Sequence, residues 1–238
     1  MVKKPFSAFK VLTFDVVGTL IDFETGLKDG LAGIAAETGR EVDGEAALSV
    51  YRGCRYIPGA GKFPDDVARC YDFIAQKAGL PRGDAYGRRM VEAVASAPPF
   101  ADSVEALARL GRRYRLVAMT NAQRWAFERF EAALGNPFHK GFTTDDTGTE
   151  KPDPAFFEYV LADLAKESLG KADILHVAQS QHHDIGISRR LGLTNCWIER
   201  RHAQPGYGGT IEPERFVEPD YHFTSLAGLA DAVEATDA

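Results

Sequence analysis

The feature that most constrains this chain is a recurrence of short apolar runs: "KVLTFDVV" (10–17), "RLVAMT" (115–120), "DILHVAQS" (173–180) and "TNCWIE" (194–199). Each is rich in Val, Ile, Leu or aromatic residues and is bounded by polar residues or glycine, the pattern of strands buried on both faces. Helical patterns lie between them. "DSVEALARLGRRY" (102–114) has Asp102 as its expected N-cap, and "DPAFFEYVLADLAKE" (153–167) follows the helix-start signal Lys151-Pro152-Asp153-Pro154. Strands alternating with helices imply an α/β fold with a doubly wound, Rossmann-like parallel sheet. At 238 residues, 45% of them hydrophobic, the chain can bury such a core.

Residues 25–96 break the alternation. "GLKDGLAGIAAETG", "GEAALSVYRGCRY", "PDDVARCYDFIAQKAG" and "AYGRRMVEAVAS" all read as helices joined by Gly/Pro-rich turns, and "SAPPF" (96–100) stops the last. The economical account is a helical cap at 25–96 inserted into a core made of 1–24 and 97–238. Such a cap covers the C-terminal edge of the sheet, where open α/β sheets bind ligands, and its junctions serve as hinges.

Composition excludes several classes of function. Cys54, Cys70 and Cys196 are odd in number and lack CxxC spacing, which argues against a disulfide framework and a structural zinc site. A net charge of −6 offers no basic face for nucleic acid; the local patch Arg200-Arg201-His202 reads as a solvated loop or as a rim contact for an anionic substrate. No run approaches the ~18 apolar residues of a membrane span. "MVKKPFSAFK" lacks the apolar core of a signal peptide, so a cytoplasmic protein is expected.

Four features fall at or just after expected strand ends: Asp15 with Gly18-Thr19, Thr120-Asn121, Lys151-Pro152, and Asp184 at the end of "AQSQHHD". In a doubly wound sheet these ends converge on one crevice. A carboxylate with a reference pKa of ~3.9 is ionised at neutral pH and needs no base to become a nucleophile. Lys151 would hold it ionised: at ~4 Å and an effective dielectric of ~20, such a pair interacts by about 4 kcal/mol before desolvation costs. Gly18 lets the backbone approach a ligand, and Thr19 can steady the carboxylate. Thr120 and Asn121 offer hydrogen-bond donors to an anionic group.

In order and type these features resemble the haloacid dehalogenase superfamily of aspartate-nucleophile hydrolases. The resemblance covers nearly the whole chain and includes the helical cap. It implies Asp15 as nucleophile, Thr120 as the small hydroxyl residue of the second motif, Lys151 as the lysine of the third and Asp184 as the acid of the fourth. With Thr19 supporting Asp15, the implied catalytic set is Asp15, Thr19, Lys151 and Asp184. Most members are magnesium-dependent phosphatases with a second Asp two places after the nucleophile; here that place holds Val17. Their fourth motif usually reads "GD", where this chain has Ala178-Gln179. Asp15 and Asp184 alone make a poor magnesium site.

A halide leaving group needs no proton, so these departures point to the type II 2-haloacid dehalogenase-like branch. That branch implies a small carboxylate substrate, a covalent aspartyl ester, no metal cofactor and a homodimer; magnesium would enter only in a phosphatase. The implied substrate-binding set is Val16, Val17, Arg52, Thr120, Asn121, Gln179, Ser180 and His183, with Arg55 a neighbouring candidate for the cap arginine. The dehalogenases carry Tyr where Val17 and Phe157 stand, and a Ser-Ser-Asn-type fourth motif where this chain reads "QSQHHD". By chemistry, Ser180 or Gln179 could orient the hydrolytic water, with Asp184 as its base or as the partner of Lys151. His182 or His183 could act as acid or base. The latter would suit hydrolases that open strained cyclic amino acids, where the departing nitrogen needs a proton.

Overall fold

The computed structural model describes residues 4–236. Strand β1 (Val11–Phe14) leads into four helices, α1 (Phe23–Glu37), α2 (Gly44–Cys54), α3 (Val67–Ala78) and α4 (Asp84–Ala95). The chain then alternates: α5 (Ser103–Leu110), β2 (Arg115–Met119), α6 (Arg124–Ala133), β3 (Lys140–Phe142), α7 (Thr144–Thr147), α8 (Pro154–Ala165) and β4 (Ile174–Ala178). A π-helical turn (Gln181–Ile185) runs into α9 (Gly186–Arg190), followed by β5 (Thr194–Ile198), β6 (Tyr221–Phe223) and α10 (Leu226–Ala235). All strand pairs are parallel, in the order β3-β2-β1-β4-β5-β6. This is the expected doubly wound α/β sheet with an inserted helical cap.

The sheet is covered on both faces, which is why its inner strands read as unbroken apolar runs. Side chains alternate along each strand. Val11, Val117 and Ile174 face one layer, with Phe156, Phe157, Val160 and Leu164 of α8. Leu12, Phe14, Leu116, Leu175 and Val177 face the other, with Leu107 and Leu110 of α5, Phe127 of α6 and Leu229 of α10. The polar exceptions in the middle strands are Thr13 and His176, which lie in register and share a 2.9 Å hydrogen bond between Oγ1 and Nδ1. Strand order reverses at β1, whose neighbours β2 and β4 lead to opposite sides of the sheet. Its C-terminal end is therefore the switch point where a crevice opens.

Two strands go beyond the four expected. β3 and β6 are three-residue edge strands, Lys-Gly-Phe and Tyr-His-Phe, too short to form an apolar run and held by pairing to β2 and β5. The first strand is also shorter than its apolar run. It stops at Phe14, because Asp15, Val16 and Val17 leave the sheet to build a loop. The chain crosses into the helical insertion and back as a paired ribbon: Asp22 N donates to Pro98 O (2.7 Å) and Phe100 N to Leu20 O (2.9 Å).

Asp153 caps α8 as expected, accepting from Ala155 N at 2.9 Å. Asp102 does not cap α5. It occupies the N-cap position in αR conformation with no side-chain bond to that helix. Its Oδ2 accepts from Leu226 N (2.7 Å) and Ala227 N (3.1 Å) at the start of α10, and its Oδ1 accepts from Arg200 Nη1 (2.8 Å). One carboxylate thus ties α10 and the loop after β5 to the return of the insertion, where it meets both a helix N-terminus and a largely buried guanidinium. Asp102→Ala should lower stability by about 2–4 kcal/mol, since it strips a largely buried guanidinium of its partner and the start of α10 of an acceptor for two N–H groups beside its Ser225 cap. Urea unfolding monitored by circular dichroism measures that loss.

Candidate active site

The loop after β1 follows from one carbonyl. Asp15 N donates to Val177 O (3.1 Å), which sets the Asp15 backbone beside β4. The Val16 carbonyl then accepts from Thr19 N (3.3 Å), Leu20 N (2.8 Å) and Ile21 N (3.0 Å), closing a tight turn in which Gly18 takes φ +87°. A Cβ is strained there, so the position favours glycine. The turn brings Thr19 back to the carboxylate. Its Oγ1 donates to Asp15 Oδ2 at 2.6 Å and accepts from Gln179 N at 2.9 Å, so its single proton is committed to Asp15.

Lys151 arrives from the loop before α8. Its Nζ donates to Asp15 Oδ1 (2.9 Å), Asp184 Oδ1 (2.6 Å) and Met119 O (2.8 Å), which uses all three ammonium protons. The side chain is 1% exposed. Burial alone would lower its pKa, but the two carboxylates outweigh that and raise it, so Lys151 is a cation at neutral pH. The two acids diverge. Burial would raise Asp184 as well, yet Lys151 and His176, whose Nε2 lies 3.1 Å from Asp184 Oδ1, bring it down to about 2. For Asp15 burial prevails over Lys151, the Asp184 charge adds to it, and the pKa rises above the ordinary carboxylate value. Asp184 is the firm anion, and Asp15 is the more basic and hence more nucleophilic of the two.

Asp184 Oδ2 is buried without a hydrogen-bond partner in the protein. The turn that carries it begins at Ser180, whose Oγ accepts from His183 N (2.9 Å) and also meets His183 Nδ1 at 2.9 Å. His183 Nε2 lies 2.8 Å from the hydroxyl of Tyr56, so both ring nitrogens are engaged. Burial pushes the His183 imidazole down to about 3, and it is neutral at physiological pH.

These groups line a cavity of about 250 Å³. Its floor is Asp15, Val17, Thr120, Lys151, Gln179, Ser180, His183 and Asp184, and the helical insertion closes it with Phe23, Tyr51, Arg55, Tyr56 and Phe63. Gln204, Gly209 and Thr210 of the loop "QPGYGGT" border it, as do Arg200 and Arg201. Both arginines are occupied by carboxylates: Arg200 by Asp102, and Arg201 by Glu24 and Glu45. Arg200 also donates to Thr19 O at 2.9 Å, bracing the Asp15 loop.

Three of the expected ligand contacts change. Arg52 does not line the cavity, because its Nη1 is turned to the carbonyl of Gly208. Arg55, just past the end of α2, faces the cavity instead. The Val16 side chain is buried in the hydrophobic core, so only its backbone can serve a ligand. Asn121 lines the cavity, but its amide is turned to the Lys151 backbone, with Oδ1 accepting from Lys151 N (2.7 Å) and Nδ2 donating to Lys151 O (2.9 Å). It braces the lysine. Thr120 is buried in the lining as expected; its Oγ1 accepts from Ala122 N at 3.2 Å and keeps its own proton. His182 lies outside the lining, edge-on to His183.

Sequence reasoning missed His176, although the signal that marks Asp15, a polar residue inside an apolar strand run, is present there too. It also missed Tyr56 and Glu150, which nothing local distinguishes. Glu150 Oε1 and Oε2 accept from Arg55 Nη2 at 2.9 and 3.2 Å.

A carboxylate, a buried lysine and a second acid meet at the switch point of a capped α/β sheet, the arrangement of a hydrolase site. The sequence matches the haloacid dehalogenase-like hydrolases over residues 9–185, and the chain belongs to that family. Among curated proteins none matches it in sequence. Among solved structures, the defluorinating L-2-haloacid dehalogenase Rha0230 aligns over 97% of this chain and 98% of its own, with 21% identity and a TM-score of 0.77. The L-2-haloacid dehalogenase of Xanthobacter autotrophicus aligns over 95% and 98%, with 18% identity and a TM-score of 0.74. The HAD hydrolase YfnB of Bacillus subtilis, bound to magnesium, aligns over 94% and 98%, with 17% identity and a TM-score of 0.75. These likenesses establish the shared fold. No helix among the described residues is long and apolar enough to cross a membrane.

The electrostatics of the triad set a pH dependence. A reaction in which Asp15 attacks needs it ionised, so the acid limb of such a reaction would lie above the ordinary aspartate value, while Lys151 keeps its proton past the ordinary lysine value. Asp184→Asn should move the acid limb of the first chemical step to lower pH. It removes the charge that raises Asp15 and leaves Lys151 to Asp15 alone. Single-turnover rates from pH 3 to 8 test the shift; an unchanged or raised limb contradicts the coupling.

Proposed function

We propose that this chain hydrolyses small 2-haloacids to 2-hydroxy acids through a covalent ester on Asp15, without a metal ion. The observation that carries this reading is the lack of a proton donor beside the nucleophile. Val17 lines the cavity where an acid would have to stand. His183 is neutral with both ring nitrogens engaged, and the Tyr56 phenol is pushed up by burial, so neither is a ready acid at neutral pH. A leaving group must then depart as a stable anion. Magnesium fits poorly: the two carboxylates share one ammonium, and among the described residues no group of three or more His, Cys, Asp or Glu is placed to hold a metal ion. Opening a cyclic amino acid fits less well, since the departing nitrogen needs a proton.

In the first step an Asp15 oxygen attacks C2 of the haloacid, the C–O bond forms, and the halide leaves with the C–X bonding pair. The N–H groups of Val16 and Val17, which make no backbone hydrogen bond among the described residues, and the Thr120 hydroxyl are the donors for the substrate carboxylate. Of the guanidiniums that line the cavity, Arg55 is the one on the helical insertion, and it takes the role expected of Arg52. In the second step Asp184 Oδ2 takes a proton from water, and the hydroxide adds to Cγ of Asp15. The Asp15 oxygen that did not form the ester becomes the tetrahedral oxygen and is held by the donor already on it, Lys151 at Oδ1 or Thr19 at Oδ2. The ester C–O bond then breaks, the proton passes from Asp184 to the departing alkoxide, and the regenerated carboxyl loses its proton to solvent. The dehalogenase of Xanthobacter autotrophicus has been captured with chloropropionic acid covalently bound, which supports the same route here.

Incubation with 2-chloropropionate should release chloride at a rate insensitive to EDTA, and Asp15→Asn should reduce that rate at least a thousandfold. A single turnover in oxygen-18 water should label Asp15 and leave the first hydroxy acid unlabelled. Label in the first product, or magnesium-dependent hydrolysis of p-nitrophenyl phosphate with no chloride release, would refute the reading.

A further inference from the structure

Arg55 and Tyr56 are consecutive residues just past the end of α2, and each reaches out of the helical insertion to the core. Arg55 is anchored on its own side by Gly61 O (3.1 Å) and lies near Asp66 (3.8 Å), then extends to both oxygens of Glu150. Its guanidinium also lies over the Tyr56 ring, 5.0 Å from the centroid. The Tyr56 hydroxyl meets His183 Nε2 at 2.8 Å. The core partners are not arbitrary. Glu150 immediately precedes Lys151, and His183 immediately precedes Asp184, the two residues whose 2.6 Å contact organises the site.

We propose that Arg55-Tyr56 is a two-point clasp by which the closed helical insertion sets the positions of Lys151 and Asp184, with Tyr56 a positioning residue for the hydrolytic step. This rests on the Asp15 ester mechanism above. The two arms act on different steps. Lys151 contacts Asp15 and serves both steps, so the Arg55–Glu150 arm acts on both. Asp184 supplies its free Oδ2 to the water of the second step only, so the Tyr56–His183 arm acts on that one. The Tyr56 ring packs on His183, with ring centroids 5.5 Å apart, and its hydroxyl adds the hydrogen bond that fixes the imidazole. A single half-exposed hydrogen bond is weak enough to break and reform as substrate enters and product leaves.

Tyr56→Phe removes that hydroxyl and nothing else. With 2-chloropropionate, ester formation should stay within about twofold of wild type while ester hydrolysis slows about tenfold. The Asp15 adduct should then accumulate at steady state, visible as a mass increase on the intact protein, with the melting temperature unchanged. Glu150→Gln should slow both steps together and accumulate no adduct. Asp184→Asn serves as the trap. If it accumulates adduct but Tyr56→Phe does not, or if Tyr56→Phe slows both steps equally, the clasp is wrong and the ester mechanism stands. If Asp184→Asn accumulates none, the ester mechanism itself fails and the clasp falls with it.

Discussion

The ammonium of Lys151 is the point on which the site depends. Burying a lone charge of this kind is prohibitive unless each proton finds an acceptor, and here they find Asp15, Asp184 and the Met119 carbonyl. Three separate strands meet at that atom: β1 delivers Asp15, β2 ends in Met119, and β4 precedes the turn that holds Asp184. Removing the lysine would leave two buried carboxylates facing each other. The same cation makes the acids unequal. Asp184, with a second partner in His176, is pinned as an anion, while Asp15 keeps the higher basicity that a nucleophile needs.

Around this atom the supporting contacts are mostly backbone. Asn121 grips both polar groups of the Lys151 main chain, Arg200 holds the Thr19 carbonyl, and Gln179 N orients the Thr19 hydroxyl. A charged triad held this way keeps its geometry when the cavity fills, because none of these contacts is made to the ligand. Among the groups left for a ligand are the Val16 and Val17 N–H groups, the Thr120 hydroxyl, Asp184 Oδ2 and the side of Arg55 away from Tyr56.

How much of this was legible in the sequence depends on how local each signal is. The inner strands and their flanking helices were legible because a strand buried on both faces must be apolar throughout. Asp15 stood out for the same reason, as a charge inside such a run. The edge strands β3 and β6 were not, since they are defined by a partner and carry no pattern of their own. Asp102 followed the local rule for an N-cap and then served a helix more than a hundred residues away, because Arg200 and the start of α10 offer it more. Arg52 and Arg55 are three residues apart, and only the end of α2 at Cys54 decides which one faces the cavity. The charge state of His183 was beyond reach altogether, for it depends on burial that Tyr56 and the surrounding fold create.

In the proposed reaction that charge state bears on which leaving groups can depart. An exposed histidine at this position would be a proton donor in part at neutral pH, and a site so equipped could expel an alkoxide or an amine. Enclosing the imidazole between Ser180 and Tyr56 removes that capacity and turns the residue into a strut. Val17 removes the other place from which a proton could come. The two substitutions act together: an acid at either place would restore reactions in which the leaving group must be protonated. With both lacking, the proposed reaction would depend on Asp15, whose basicity burial raises, and on the water of its second step, for which Asp184 Oδ2 has no partner among the described residues. In the proposed reaction the halide leaves unaided, and this division of labour would suffice for it.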